Sequence, residues 1–234
     1  MAEFFNGVLI FFAYLIPLAI VIFLVRKFAK VEDELFRKIL HFVLLGAYIP
    51  LLFGFEKWYH ALIFIVCFGA LIYPALIIAG KIPGFSAFVN ERKGGEFKNS
   101  MILAVGIMAF SIIISGVIKD GYVVLASVYS WGIGDAFAAL IGKRIGKHKI
   151  NWKITDGKKS VEGSLAMLIT SFIAVCALLL IRGGIGVFEV IVISILASTA
   201  STIVELCSKN GLDTVFCPIA SMAIILPLTM LFGK

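Results

Sequence analysis

The sequence predicts an all-α polytopic integral membrane protein, built as a bundle of about eight transmembrane helices. Its 234 residues are 61% hydrophobic and only 15% charged, and the mean hydropathy is +1.08. Soluble domains contain about 45–50% apolar and about 25% charged residues, so this composition indicates a protein that lies in the bilayer. The net charge of +7 is then expected to orient the protein in the membrane, and we expect no nucleic-acid partner.

Eight apolar segments have the length and composition expected of transmembrane helices. They lie near residues 4–25, 39–55, 58–79, 101–118, 122–141, 163–181, 187–206 and 214–232. The second segment is short and only residues 55–57 separate it from the third, so seven helices or a re-entrant variant stay open. Because the sequence contains neither an internal repeat nor a Pro/Ser-rich linker, we predict a single transmembrane catalytic domain over residues 1–234.

Lysine and arginine are concentrated in alternate connections between these segments. The first, third, fifth and seventh connections hold 17 of the 21. Since cytoplasmic loops carry an excess of cations, we expect these connections to be cytoplasmic and both termini to lie outside the cytoplasm. The pattern does not distinguish the plasma membrane from an organelle.

Two of the cytoplasmic connections have features beyond a simple turn. Residues 26–38 mix both charges with apolar residues spaced for a helix that lies at the membrane interface. Residues 81–100 contain Gly94-Gly95, which predicts a loop that either wraps a ligand or is a solvated connector. Candidate phosphate or lipid contacts in and beside these two segments are Arg37, Lys38, His41, Arg92 and Lys93.

The most informative stretch is residues 122–164. It places Asp135 inside an apolar segment, and an ionisable residue in a membrane helix is costly enough to indicate a function. The structural alternative is a buried acid that bonds to a neighbouring helix. A small residue also recurs at every fourth position, which predicts close packing against another helix. These residues are Ala126, Ser130, Gly134, Ala138 and Gly142.

Seven cations follow between Lys143 and Lys159, and four acids lie in or next to apolar helices. Those acids are Asp135, Glu162, Glu205 and Asp213. Carboxylates with many cations at a membrane surface suit a polyphosphate bound with a divalent metal ion. Attraction of the cations to anionic lipid head groups is the alternative, and it leaves the acids unexplained.

Two local patterns refine this hypothesis. Ser160 is a candidate N-cap of the sixth helix, where backbone N–H groups beside Lys158 and Lys159 would attract an anion and Glu162 would lie in the first turn. In the seventh helix, polar residues recur on one face that leads to a carboxylate, and such a face is expected to point to the bundle interior. They are Ser198, Ser201 or Thr202, and Glu205.

Two central motifs resemble those of the CTP-dependent lipid kinases. They are Gly134-Asp135-Ala136-Phe137-Ala138-Ala139-x-x-Gly142-x-x-x-Gly146-Lys147 and Lys158-Lys159-Ser160-Val161-Glu162-Gly163-Ser164. This family includes dolichol (polyprenol), phytol and yeast-type diacylglycerol kinases and is distantly related to phosphatidate cytidylyltransferase. Near the start, Glu34-x-x-Arg37-Lys38-x-x-His41 is similar to the family's N-terminal signature. The C-terminal likeness is Glu205 with Asn210-x-x-Asp213 and Pro218, although Thr214 stands where the family has Asn.

The resemblance implies phosphoryl transfer from CTP to the primary hydroxyl of a membrane lipid alcohol, with Mg²⁺ or Mn²⁺ as cofactor. On this basis we expect Asp135 and Glu162 to hold the metal ion or to orient the hydroxyl, with Glu205 and Asp213 as further metal ligands. Nucleotide contacts would come from Gly134, Lys143, Gly146, Lys147, Lys158, Lys159, Ser160 and Gly163.

Two other functions stay open at this point. A cytidylyltransferase that makes a CDP-lipid would use the same nucleotide and metal ion. A secondary transporter would also carry intramembrane acids, but it is expected to have duplicated halves, which this sequence lacks. Neither the identity of the alcohol nor the oligomeric state, including a homodimer, follows from the sequence.

Overall fold

The computed structural model describes residues 1–82, 84–85, 96–150, 155, 159–208 and 211–233. The predictions for Arg92, Lys93, Lys158 and Asn210 therefore lie outside the described residues, as does most of the connection around Gly94-Gly95. The chain forms two compact units, Met1–Lys119 and Asp120–Lys234. Each unit is described by itself, and the single catalytic domain stays a prediction.

The described residues are almost entirely α-helical. The first unit contains α1 (Ala2–Phe28), α2 (Asp33–Gly46), α3 (Tyr48–Phe53), α4 (Trp58–Ala79) and α5 (Glu96–Ile118). The second unit contains α6 (Gly121–Ile145), α7 (Val161–Arg182), α8 (Val187–Cys207) and α9 (Asp213–Phe232). Within the described part of the chain, extended pairing is limited to an isolated bridge between Lys149 and Ser160.

Eight candidate membrane spans are found among the described residues, as the sequence predicted. The second is formed by α2 and α3 together, over Asp33–Phe53. These two helices meet at Ala47, which is the C-cap of α2 and the N-cap of α3. The all-α, polytopic fold class is therefore confirmed.

The separate interfacial helix predicted for residues 26–38 is wrong. Helix α1 continues to Phe28, and α2 begins at Asp33, so this segment is divided between two spans. Acidic residues in the first turn of α2 favour a helix start at this position because they complement the helix dipole. Arg26 Nη1 lies 3.2 Å from Asp33 Oδ1 and joins the two helix ends. Likewise, the predicted loop over 81–100 is shorter, since α5 begins at Glu96.

Large aromatic rings fill the first unit. The ring centroid of Phe11 lies 4.9 Å from that of Phe64 and 5.6 Å from that of Phe68. Gly7 allows the ring of Phe55 to lie against the backbone of α1, since a Cβ atom there would collide with that ring. This unit is therefore packed mainly by apolar contact area.

Small side chains pack the second unit. A Cβ atom added at Gly134 would collide with Ser171 Oγ, and one added at Gly163 would lie 2.9 Å from the carbonyl oxygen of Ala138. Helices α6 and α7 thus approach each other along the ridge of small residues, which confirms the predicted close packing. At the centre, the Ser171 hydroxyl donates to the carbonyl oxygen of Ser130, and Ser221 Oγ lies 3.1 Å from Ser130 Oγ.

Candidate active site

The candidate site lies at one end of the second unit, where α6 and α8 end and α7 and α9 begin. Contacts between the helices bring its residues together. The indole Nε1 of Trp131, on α6, donates to Asp213 Oδ2 at the start of α9 over 3.1 Å. Trp131 is only 6% exposed, so its ring fixes one oxygen of this carboxylate in place.

Asp135 lies one helical turn beyond Trp131 and is half-buried. Asp135 and Asp213 lie close enough to Glu205 for their carboxylate charges to interact with it. All three carboxylates also lie close enough to the thiol of Cys217 for an electrostatic interaction. Three carboxylates from three different helices therefore share one region of the unit.

Lys159, which precedes α7, supplies the cation of this region. Its Nζ lies 2.9 Å from Glu205 Oε1, and the two side chains are 15% and 12% exposed. The same ammonium donates to the carbonyl oxygen of Glu205 and, over 3.1 Å, to that of Ser208. Lys159 thus pairs with a carboxylate and also caps the end of α8, where a cation complements the helix dipole.

The polar face predicted for α8 is buried in the second unit. As whole residues, Ser198 and Ser201 are 1% and 0% exposed, and Thr202 and Glu205 are 8% and 9% exposed. The expectation that this face points to the interior is confirmed. It places Glu205 at the end of a buried hydroxyl-bearing surface rather than in contact with lipid.

The predicted cap of α7 is also confirmed. Ser160 Oγ accepts a hydrogen bond from the backbone N–H of Gly163 at 3.2 Å, and Glu162 lies in the first turn. The carboxylate of Glu162 accepts hydrogen bonds from the backbone N–H groups of Lys147 and His148 at 3.1 and 3.2 Å. His148 Nδ1 lies 2.7 Å from Glu162 Oε1.

Three glycines explain how the chain passes so close to this cap. A Cβ atom at Gly146 would collide with the carbonyl oxygen of Gly142 and lie 2.5 Å from Ser160 Oγ. Cβ atoms at Gly142 and Gly163 would each lie 3.2 Å from the same hydroxyl. These three glycines of the two central motifs therefore allow α6, the segment that follows it and α7 to meet around Ser160.

The remaining predicted contacts are dispersed. Lys143 and Lys147 are exposed at and beyond the end of α6. In the first unit, Arg37 Nη2 lies 3.0 Å from Glu34 Oε1, Lys38 is 6% exposed and His41 is half-buried.

In the described part of the chain, no group of three or more His, Cys, Asp or Glu residues could hold a metal ion by itself. Glu162 bonds to the loop after α6, whereas Glu205 pairs with Lys159. The proposed ligand set of Asp135, Glu162, Glu205 and Asp213 stays a prediction.

Sequence reasoning missed three partners in this region. In the sequence, Trp131 is one of many hydrophobic residues, and His148 stands between two lysines. No local pattern indicates that Lys159 pairs with Glu205. Each contact joins residues far apart in the sequence.

Comparison with known proteins identifies related sequences. The model of the cytidylyltransferase family matches residues 2–208. The chain is 30% identical over 121 residues to phytol kinase from Synechocystis sp., which covers 50% of each chain. It is 40% identical over 80 residues to dolichol kinase from Saccharomyces cerevisiae, which covers 34% of this chain and 13% of that one. The matches thus span half of the first relative's length and a smaller part of the second. No solved structure matches the chain.

Proposed function

This chain belongs to the cytidylyltransferase family, and we propose that it is a CTP-dependent lipid kinase, like the two relatives that it resembles, and phosphorylates a membrane lipid alcohol with CTP. The observation that carries this proposal is the meeting of Asp135, Glu205 and Asp213 with Lys159 at one end of four membrane-length helices. The exposed Lys143 and Lys147 lie at and beyond the end of one of these helices, α6. Since the two relatives are named for phytol and dolichol, isoprenoid alcohols are our first candidate substrates. Diacylglycerol is the next.

The proposed reaction is a direct transfer. The hydroxyl oxygen of the alcohol attacks the γ-phosphorus of CTP, the bond from that phosphorus to the β–γ bridging oxygen breaks, and CDP leaves. The hydroxyl proton passes to a carboxylate, a role that we assign to Asp135. Positioning and charge stabilisation dominate phosphoryl transfer, so the site must mainly align the alcohol and neutralise phosphate oxygens.

The acids fit a divalent cation in their chemistry. Mg²⁺ prefers oxygen ligands and usually takes one or two carboxylates, with substrate phosphates and water completing its shell. Asp135 would be one such ligand, with Asp213 or Glu205 as the second, so a cluster of three protein ligands is not required. When bound, Mg²⁺ or Mn²⁺ would neutralise charge on the phosphates.

The cations have complementary proposed roles. Lys143, Lys147 and Lys158 would contact the triphosphate, and Lys159 would act beside them while it holds Glu205. Gly134, Gly146, Ser160 and Gly163 would shape the surface against which CTP lies. Arg37, Lys38, His41, Arg92 and Lys93 are proposed as further phosphate or lipid contacts.

We place this site on the cytoplasmic face with both termini outside, because the loops on that side carry most of the cations. CTP would then arrive from the cytosol and the alcohol from the bilayer. A homodimer would be compatible with this arrangement.

A double-label assay tests the proposal. The protein in nanodiscs is incubated with Mg²⁺, an alcohol (phytol, geranylgeraniol, a polyprenol or diacylglycerol) and CTP labelled at either the α- or the γ-phosphorus. A kinase moves the γ-label into the lipid phase and leaves the α-label in soluble CDP. With phosphatidate as substrate, a cytidylyltransferase moves the α-label into the lipid phase and releases the γ-label as pyrophosphate. Transfer of the α-label to lipid, or of neither label, would refute the kinase proposal.

A further inference from the structure

The carboxylate of Glu162 bonds to the loop that follows α6, not to another helix. Oε1 accepts from the backbone N–H groups of Lys147 and His148 at 3.1 and 3.2 Å, and Oε2 lies 3.3 Å from the N–H of His148. The His148 ring adds a contact of 2.7 Å from Nδ1 to Oε1. Oε1 therefore bonds to two consecutive residues, and Oε2 bonds to the second of them.

Backbone pairing continues from this contact. The N–H of Ile150 donates to the carbonyl oxygen of Lys159 at 3.0 Å, and that of Val161 donates to the carbonyl oxygen of His148, also at 3.0 Å. Lys149 and Ser160 form the antiparallel bridge between them. The segment after α6, over residues 147–150, is thus fastened to the start of α7, and we call this paired segment the fastened base.

Two of the lysines that we propose for the triphosphate lie in and just before this base. Lys147 lies within it and Lys143 lies one helical turn before it, and both are exposed. The N–H groups of Lys147 and His148 lie at an exposed surface, and Glu162 supplies charged acceptors for them from the first turn of a packed helix. A carboxylate in that turn is itself stabilised by the helix N-terminus, so the acceptor is held firmly.

We propose that Glu162 is a positioning residue: its carboxylate fastens the backbone of Lys147 and His148 to α7 and so places Lys147, near Lys143, for the triphosphate of CTP. This inference rests on the proposed function for the identity of the nucleotide. It differs from the role implied by family resemblance, in which Glu162 binds the metal ion or orients the hydroxyl.

Two variants separate these roles. Glu162→Gln keeps a carbonyl oxygen that can accept from the two N–H groups but removes the charge that a metal ligand or a base needs. Glu162→Ala removes both. The matched control is Glu189→Ala, which deletes an acid from the first turn of α8. Each variant is first shown to insert and to stay monodisperse in nanodiscs, and a lower melting temperature of Glu162→Ala is compatible with the loss of these hydrogen bonds.

The first measurement is hydrogen exchange at residues 147 and 148, which needs no activity. We expect Glu162→Ala to speed exchange there by about tenfold or more, as for loss of charge-assisted hydrogen bonds, with Glu162→Gln intermediate and Glu189→Ala unchanged. Unchanged exchange in Glu162→Ala overturns the inference, whatever the enzyme does.

The second measurement is kinase kinetics with CTP. For a positioning residue, Glu162→Ala should raise KM for CTP by about tenfold with kcat lowered by less, and Glu162→Gln should recover most of the loss. A fall in kcat of about 100-fold or more in Glu162→Gln, at unchanged KM, would instead assign Glu162 to the chemistry. If the wild type transfers phosphate to no alcohol, the proposed function fails, and the exchange data still decide whether Glu162 fastens the loop.

Discussion

The two ends of the second unit both carry ion pairs, but they differ in charge balance. At the end away from the candidate site, Asp120 Oδ1 accepts from the N–H groups of Tyr122 and Val123, each at 3.1 Å. Asp120 Oδ2 lies 2.6 Å from Nε of Arg182, whose Nη1 donates to the carbonyl oxygen of Gly183. One acid meets one cation, and both carboxylate oxygens are used within the protein.

At the other end, Asp135, Glu205 and Asp213 share a region in which Lys159 pairs with Glu205. Like charges in a partly buried region repel each other, and they persist in folded proteins mainly where a bound cation or a reaction requires them. The balanced end fastens helices, whereas the other end gathers three acids near Lys159, and this is the arrangement that we propose for binding a ligand.

The largest expected effect is at Asp135. Asp135→Asn keeps the size of the side chain and removes its charge, so the proton acceptor and one proposed metal contact are lost together. We expect kcat to fall by about 1,000-fold or more, with the protein still inserted and purified in normal yield. Transfer of the γ-label from CTP to the alcohol measures this effect.

Asp120→Asn is the matched control, because it makes the same chemical change at the balanced end. Asparagine is also a good N-cap, so we expect a modest fall in melting temperature and nearly normal kcat. Near-normal activity in Asp135→Asn, or equal losses in both variants, would remove Asp135 from the mechanism.

Lys159 carries the next largest effect, on stability. In Lys159→Met, Glu205 loses its partner and the last carbonyl oxygens of α8 lose a donor. Breaking a buried ion pair on one side costs about 3–5 kcal/mol, and partial exposure of this pair reduces the expected cost to about 2–4 kcal/mol. Thermal unfolding in detergent measures it.

Lys143→Met is the control for that variant, since it removes an exposed lysine from the same basic block. It should leave the melting temperature almost unchanged. If both variants melt alike, the pairing of Lys159 with Glu205 does not stabilise the unit.

Much of this fold could be predicted from local sequence. Apolar runs of spanning length are continuous, so the helices follow directly from them. The cap at Ser160 and the small-residue ridge of α6 also depend only on neighbours within one element. The boundary errors arose where charged residues extend a helix beyond its apolar run, as at Asp33 and Glu96.

The contacts between the residues of the candidate site could not be predicted in this way. Lys159 was expected to bind phosphate and Glu162 to act in catalysis, but the sequence alone cannot show that one caps α8 and the other bonds to the loop after α6. Such contacts depend on which helix ends meet, and no spacing within one segment encodes that. The family motifs contain Lys159 and Glu162 but do not reveal their partners, and the roles of these residues stay predictions.

A smaller effect is expected from packing in the second unit. In Gly134→Ala the new methyl group would collide with Ser171 Oγ and lie 2.8 Å from Met167 Cγ, so we expect a loss of about 1–3 kcal/mol of stability. Gly106→Ala is the matched control in α5, because among the described residues no atom outside the neighbouring backbone of α5 itself lies within 4 Å of the added Cβ. There the alanine should be neutral or stabilise by about 0.5–1 kcal/mol. Unfolding midpoints compare the two, and a stable Gly134→Ala protein would contradict the tight contact between α6 and α7.

The smallest effect is expected from a single exposed lysine of the loop. Lys147→Ala removes the side-chain charge but keeps the backbone N–H that bonds to Glu162. We expect KM for CTP to rise by less than about tenfold, with little change in kcat and with a difference that shrinks at high salt, because exposed charges are screened. Lys119→Ala, beside the balanced end, should change neither constant. A loss in kcat as large as that of Asp135→Asn would place the Lys147 side chain on the reacting phosphate itself. It would also contradict the expectation that removal of the Asp135 charge lowers kcat far more than removal of one lysine charge.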